Sequence, residues 1–465
     1  MIEMLSIVGA GLLTFVVLAL AATQLVLFVS ATIEARHIKQ REKHHLWDRA
    51  LSSTVPPKIT VVIPAYNEEL TIGETSTNIL GLNYPNLEVV IVLDGGTDDT
   101  LGVLDRLYEL VPVHSVYQHQ IDTATMGQIY RSSTEPNLIV AEKANGGKAD
   151  SMNAGINLAS GELICFIDAD TLIAPTALQQ LAVPFIEREG VVASGGMVRH
   201  ANGATIEHSR VTKMSAPNRI LPGAQAVEYI RAFMVGRLGW NKLGGNIIVS
   251  GAFGLFDRES ILEIGGYEPE TIAEDMELVV RLRRQGYETG RPAHVIFTTT
   301  PCSWTEVPET IDVLANQRGR WHRGLLDVLK RHRAMLFNRR YGAAGTVVLP
   351  YYLLVEFVAP ILELVGLLFF LFALANGTAT EGVILVVVCA YLASLLITFL
   401  VLLGDELINH PYERGTDRLK LVFHAVFESS VVHLGTLLWR LVGMVDALLG
   451  RNDWGTMTRK GFRQI

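Results

Sequence analysis

An α/β domain with a mostly parallel sheet, joined to transmembrane and interfacial helices, is the fold class this sequence predicts. Three observations carry it. Short apolar runs alternate with helix-patterned segments between residues 52 and 340, as strand–helix–strand units require. A long uncharged apolar run lies at the amino end, and further long apolar runs lie toward the carboxyl end. Several short runs stop abruptly in carboxylates or glycines, at the edge where open α/β sheets bind ligands.

Composition agrees. Of 465 residues 49% are apolar and only 18% charged, a balance that leans toward a membrane protein. A net charge of −8 argues against a general nucleic-acid binder. Cys165, Cys302 and Cys389 lie far apart without metal-ligand spacing, which suits a reduced compartment better than a disulfide framework.

The elements follow in order. Residues 1–33 contain an uncharged run, Leu5 to Ile33, longer than the roughly 20 residues that cross a bilayer. It has no basic start and no small-residue cleavage site, so an anchor is expected and not a removable signal. Arg36, Lys39, Arg41, Lys43 and Arg49 follow; the positive-inside rule makes that flank cytosolic and the amino terminus external. Residues 52–300 then form a cytosolic domain. Its expected strands are Ile59–Ile63, Leu87–Leu93, Leu138–Ala141, Leu163–Ile167, Val191–Val198 and His294–Thr298. Helices are expected at Glu69–Leu80, Lys148–Ala159 and Pro175–Glu187, and Val111–Asn137 reads as a surface insertion. Residues 301–340 are expected to form an amphipathic interfacial helix, with Arg323, Lys330, Arg331 and Arg333 near the headgroups.

Residues 346–449 form the carboxyl-terminal membrane region, with apolar runs at 346–375 and 381–403 separated by Asn376-Gly377-Thr378. Glu428, His433, Arg440 and Asp446 interrupt the last run, and charge at mid-membrane depth is costly. Two spans plus an interfacial helix are therefore expected, with three spans as the alternative. Residues 450–465 read as a cytosolic tail.

The chemistry-bearing residues sit at strand ends. Asp168 and Asp170 close the run Leu163–Ile167; residues i and i+2 point the same way and can grip one hard cation, Mg²⁺ or Mn²⁺, carrying a diphosphate. The first strand runs into Tyr66-Asn67-Glu68, an aromatic face beside an acidic acceptor, with Asn67 as a possible helix cap. The second ends in Asp94-Gly95-Gly96-Thr97-Asp98-Asp99, where Asp94 offers an acceptor for a ribose hydroxyl or a uracil N–H; taken singly, it is a tight turn. Lys148 follows Gly146-Gly147 at a helix start, a place suited to a phosphate. The Walker spacing is absent, so a nucleoside-triphosphatase loop is not supported.

In this order, Tyr-Asn-Glu, Asp-Gly-Gly-Thr-Asp-Asp, Gly-Lys-Ala and Asp-Ala-Asp resemble the nucleotide-sugar half of a family 2 glycosyltransferase with a GT-A fold. The second half matches too. Ser250-Gly251-Ala252-Phe253-Gly254 resembles the acceptor floor, and Ala273-Glu274-Asp275 the Thr-Glu-Asp catalytic motif, with alanine for threonine. Gln317-Arg318-Gly319-Arg320-Trp321 resembles the Gln-x-x-Arg-Trp signature of cellulose, chitin, hyaluronan and poly-N-acetylglucosamine synthases.

The resemblance implies site roles. Asp275, with Glu274, would be catalytic, Asp275 as general base; alone, it is also a carboxylate favourably placed at a helix start. Tyr66, Glu68, Asp94, Lys148, Asp168, Gln317 and Arg320 would bind the UDP-sugar. Asp170 and Asp168 would hold Mg²⁺ or Mn²⁺. Gly251, Phe253 and Trp321 would meet the acceptor, Trp321 by stacking on a sugar face.

The implied activity is processive, inverting extension of a β-linked polysaccharide from a UDP-sugar, exported through the membrane helices of a multi-pass plasma-membrane protein. UDP-N-acetylglucosamine is favoured over UDP-glucose. The alternatives are transfer of one sugar to a lipid carrier or glycolipid, and a catalytically silent export scaffold. Expected partners are the UDP-sugar donor, the growing polysaccharide and the lipid bilayer, with an accessory export subunit possible. No regulatory domain is recognisable, so control is expected to come from a partner.

Overall fold

The computed structural model describes residues 2–42, 56–114 and 117–449. Lys43 and Arg49 of the basic flank, and the expected tail at 450–465, lie outside the described residues. The described residues form two compact units: one within 35–215 and 244–307, the other within 2–34, 216–243 and 308–449.

The first unit is built on a ten-stranded sheet. Its strands begin with β1 (Ile59–Ala65), β2 (Leu87–Leu93), β3 (Leu110–Val113), β4 (Met126–Ser132) and β5 (Leu138–Lys143). Then come β6 (Leu163–Ile167), β7 (Thr171–Ile173) and β8 (Val191–His200). A separate hairpin of β9 (Thr205–Glu207) and β10 (Arg210–Lys213) precedes β11 (Phe253–Asp257) and β12 (His294–Thr305). The spatial order is β3-β4-β5-β2-β1-β6-β11-β8-β12-β7. Strands β5, β2, β1 and β6 run parallel, with Val61 opposite both Val89 and Cys165. Antiparallel β11 separates β6 from β8.

The parallel strands are apolar without interruption because both faces are covered. Alternate residues serve opposite cores. Val61, Ile63, Val89, Ile91 and Ile167 pack under helices Ile72–Leu80, Thr100–Tyr108 and Ala177–Glu187. Val62, Val90, Ile164 and Phe166 pack under helices Lys148–Leu158 and Glu274–Thr289.

Four features differ from expectation. Residues 111–137 are not a plain insertion, since they supply β4 and most of β3 as an antiparallel edge; their half-exposed, mixed residues hid the strand pattern. Strand β11 was not anticipated, because Phe253-Gly254-Leu255-Phe256 is short and glycine-interrupted. Strand β12 runs on to Thr305, beyond the expected boundary at 300. Helix Ile220–Arg231, inside the expected 52–300 domain, groups with the second unit.

Among the described residues four helices are long and apolar enough to cross a membrane: Leu13–Gln40, whose last residues group with the first unit, and Ala344–Ala375, Glu381–Asn409 and Gly415–Ala447 of the second. The last corresponds to the alternative of a third carboxyl-terminal span. The charges that argued against it are partnered. Arg231 meets Glu428 at 2.5 Å, His433 meets Glu363 at 2.8 Å, Arg440 meets Glu356 at 3.8 Å and Arg323 meets Asp446 at 4.0 Å. Pairing offsets the cost of removing each charge from water.

Helix Lys148–Leu158 lies close on the sheet because Gly155 has no side chain; a Cβ there would overlap Val62 Cγ1. Gly155→Ala is expected to destabilise the protein by about 1–3 kcal/mol, and adding Val62→Ala to recover most of that loss. Thermal midpoints of the detergent-solubilised variants measure both effects. A single variant as stable as wild type would exclude the close packing.

Candidate active site

The parallel strands β1, β2, β5 and β6 end at one edge of the sheet, and the turns that follow build the site. After β1, Asn67 adopts a left-handed conformation with φ 56°. Its Oδ1 accepts from Thr97 N at 2.7 Å and Asp98 N at 3.3 Å, in the turn after β2. Glu69 N donates to Asp98 Oδ2 at 2.9 Å, and Asp99 N to Glu69 Oε2 at 3.0 Å. Asn67 is thus a cross-brace between two turns and not a helix cap; the helix starts later, at Ile72. The brace presents Tyr66, which is 53% exposed. Glu68 lies beside it and accepts from Thr71 Oγ1 at 2.7 Å.

Asp94 was expected to face the nucleotide. Its buried carboxylate instead accepts from Gly146 N at 2.9 Å and Gly147 N at 2.8 Å, and pairs with Lys143 Nζ at 2.5 Å. Asp94 therefore shapes the Gly-Gly turn from within. Lys143 also meets Asp150 at 2.6 Å, with no side-chain exposure. Sequence reasoning missed Lys143 and Asp150; the available signal was a lysine closing an apolar strand just before Asn-Gly-Gly. Gly147, at φ 87°, then turns the chain into the helix that starts with Lys148.

Lys148 Nζ lies 2.6 Å from Asp168 Oδ1 and 3.3 Å from Glu274 Oε1. Burial alone would lower the Lys148 pKa, but Asp168, Glu274 and Asp275 outweigh it and hold the ammonium above its ordinary range. Burial likewise raises Glu274, with Lys148 opposing. Asp275 is oriented by two backbone amides: Gly251 N donates to Oδ2 at 3.1 Å and Met276 N to Oδ1 at 2.7 Å. A Cβ on Gly251 would stand 3.3 Å from Lys148 Nζ and 3.5 Å from Asp275 Cβ, so glycine keeps this gap open. Strand end, helix start and helix start thus converge on one cluster: Lys148, Asp168, Glu274, Asp275 and Gly251.

Asp170 is buried one residue beyond Ala169, whose carbonyl accepts from Thr75 Oγ1 at 2.8 Å. Among the described residues no three His, Cys, Asp or Glu side chains converge as a metal cage. Two hard carboxylates at a strand end still fit Mg²⁺ or Mn²⁺, which usually takes one or two protein carboxylates and completes its shell with phosphate and water. Phe253 does not join the site. It is fully buried on β11 within the core under the first helical layer, so the expected acceptor contact is corrected to core packing, leaving Gly251 from that segment.

Gln317, Arg320 and Trp321 belong to the second unit, on helix Ile311–Arg331. Their i, i+3, i+4 spacing puts them on one side of the helix. Gln317 is buried, and Trp321 is 46% exposed. This helix crosses helix His433–Leu448 through two glycines: a Cβ on Gly319 would lie 3.6 Å from Gly443 Cα.

Replacing Lys143 leaves Asp94 and Asp150 buried without their cation. Lys143→Met is expected to cost about 3–5 kcal/mol, and Lys143→Met with Asp94→Asn and Asp150→Asn to cost less than the single change. Denaturation midpoints of the variants test this, and a wild-type midpoint for the single variant would remove the brace.

Two family descriptions match the chain: "Glycosyl transferase family 2" over residues 60–264, and "Glycosyl transferase family group 2" over residues 163–403, more than half of its length. Among curated proteins, probable glycosyltransferase YdaM of Bacillus subtilis is 28% identical over 284 residues, 61% of this chain and 58% of its own. Poly-beta-1,6-N-acetyl-D-glucosamine synthase of Staphylococcus aureus is 26% identical over 273 residues, 59% and 56% respectively. The aligned part thus spans somewhat over half of each curated relative. A mannosyltransferase of Pyrobaculum calidifontis, solved in complex with GDP-Man and Mn2+, shares the fold with a TM-score of 0.51 and 19% identity, over 90% of this chain and 99% of its own.

Proposed function

The chain belongs to glycosyl transferase family group 2, and from that premise we propose that it polymerises a β-linked polysaccharide from a UDP-sugar, with inversion, and passes the product through its membrane helices. UDP-N-acetylglucosamine is the favoured donor, supported by the likeness to the poly-beta-1,6-N-acetyl-D-glucosamine synthase; UDP-glucose is next. The observation that carries the reading is the cluster of Lys148, Asp168, Glu274 and Asp275 beside Gly251. The four apolar helices support a multi-pass protein of the plasma membrane, and the basic flank after the first supports a cytosolic catalytic domain.

In this mechanism Asp275 accepts the proton of the acceptor hydroxyl as its oxygen bonds to the anomeric carbon. The bond from that carbon to the UDP oxygen breaks, through a transition state of oxocarbenium character. Lys148, held protonated, lies where negative charge gathers on the departing diphosphate. Glu274 keeps Lys148 in place. Asp168 and Asp170 would hold Mg²⁺ or Mn²⁺, which supplies further charge neutralisation when bound; the mannosyltransferase complex with Mn2+ supports a divalent cation. Arg320 and Gln317 serve the donor, and Trp321 the acceptor sugar.

Purified protein supplied with UDP-sugars and Mn²⁺ tests the whole reading by the size of the product. A polymer is expected. A single-sugar lipid would replace polymerisation by single transfer, and absence of UDP release would sink the enzymatic reading. Asp275→Asn should lower UDP release by about 10²–10⁴-fold while UDP affinity stays near wild type; near-normal turnover would exclude Asp275 as base. Asp170→Ala should lose metal-dependent UDP binding together with turnover. Titration of UDP with Mn²⁺ and with chelator checks this, and unchanged affinity with metal present would exclude a ligand role.

A further inference from the structure

The signature around Trp321 contains an arginine at a position it leaves unnamed. Arg318 is only 2% exposed. Its Nη2 donates to Glu228 Oε2 at 2.6 Å, on helix Ile220–Arg231. Its guanidinium carbon stands 4.3 Å from the centroid of the Trp321 ring. The remaining buried donors, Nε and Nη1, find no hydrogen-bond partner among the described residues.

Buried cationic donors without an acceptor are costly. Here the cation lies over the π face of the indole, an attraction that partly offsets the missing acceptors. The interaction runs both ways: the guanidinium, fixed at one end by a carboxylate, lies over the ring and limits its rotation. Arg318 and Trp321 are three residues apart on one helix, the spacing at which side chains meet. Trp321 remains 46% exposed beside the guanidinium. A sugar stacks well only on a ring whose plane is already fixed, since ordering it at the moment of binding would subtract from affinity.

We propose that Arg318 is a positioning residue that, anchored by Glu228, holds the Trp321 indole in the orientation that receives the acceptor sugar. This rests on the reading of Trp321 as the acceptor platform. Arg318 touches neither donor nor reacting atoms in this scheme, so its loss should appear in acceptor binding and not in donor binding.

The full-length protein in detergent, its turned-over UDP-sugar with Mn²⁺, and a short N-acetylglucosamine oligosaccharide as acceptor provide the test. Arg318→Met is expected to raise the acceptor KM about tenfold with donor KM unchanged. Arg318→Lys keeps the charge opposite Glu228 and so protects folding, but an ammonium lacks the planar guanidinium that packs on aromatic faces; an intermediate rise in acceptor KM is expected. Should Arg318→Met fail to fold, Arg318→Lys decides alone. Wild-type acceptor KM in the Arg318 variants, with acceptor binding lost in Trp321→Ala, would overturn the positioning role and leave the platform intact. Donor KM rising in step with acceptor KM would also overturn it, by showing a general structural effect. Wild-type acceptor KM in Trp321→Ala would overturn the platform itself, and the positioning role with it.

Discussion

One ammonium group, Lys148 Nζ, sets the condition under which the sheet unit can carry its acidic edge. It touches Asp168 after a strand and Glu274 at a helix start, at 2.6 and 3.3 Å. Like charges about 4 Å apart repel by about 4 kcal/mol at an effective dielectric constant near 20, so carboxylates gathered here need a resident cation. Burial works against that cation and the carboxylates work for it, and the carboxylates win. The outcome is a protonated lysine fixed among acidic side chains.

Lys148 is in turn placed by features that never touch a substrate. Gly155 brings its helix down onto Val62. Asp94 fixes the preceding turn by accepting from Gly146 N and Gly147 N, and Lys143 neutralises Asp94 and Asp150 behind it. The two lysines divide the work. Lys143, sealed from solvent, builds the turn, whereas Lys148, 23% exposed, remains available to a ligand. Preorganisation of this kind lets a charged site act without rearranging when charge develops.

How much of this the sequence displayed depended on whether a residue's partner was local. Strands β1, β2, β5 and β6 were legible because burial on both faces demands unbroken apolar runs. That Asp168 and Lys148 lie at the sheet's edge was legible from a strand end and a helix start, whereas Asp275 was singled out by the order of the motifs. Asn67 and Asp94 were recognised as important but assigned to local work or to the nucleotide. Their actual partners lie across the sheet edge, about 30 and 50 residues away, at distances that only pairing of β1 with β2 and β2 with β5 makes short. Phe253 was misread for the opposite reason. A motif placed it near the acceptor, while strand pairing with Ile167 turned it into the core.

The helical unit shows the same limit in its charges. Glu428, His433, Arg440 and Asp446 look like faults in an apolar run when read along the chain. Each is within 4.0 Å of a partner from another part of the unit: Arg231, Glu363, Glu356 or Arg323. Arg231 comes from a segment that sequence reading assigned to the sheet domain, so its charge was never available to balance Glu428. A hydropathy profile counts charges singly, whereas the energy of a charge in an apolar surrounding depends on its pair. The interrupted run is long and apolar enough to cross a membrane by length and composition, and its charges have partners. Two of these pairs, Arg231–Glu428 and Arg323–Asp446, bind helix Gly415–Ala447 to helices Ile220–Arg231 and Ile311–Arg331, which carry Glu228 and Arg318, and the other two bind it to helix Ala344–Ala375. Two of the groups that made the last helix look unsuited to a membrane, Glu428 and Asp446, thus tie it to the helices that carry Glu228, Arg318 and Trp321.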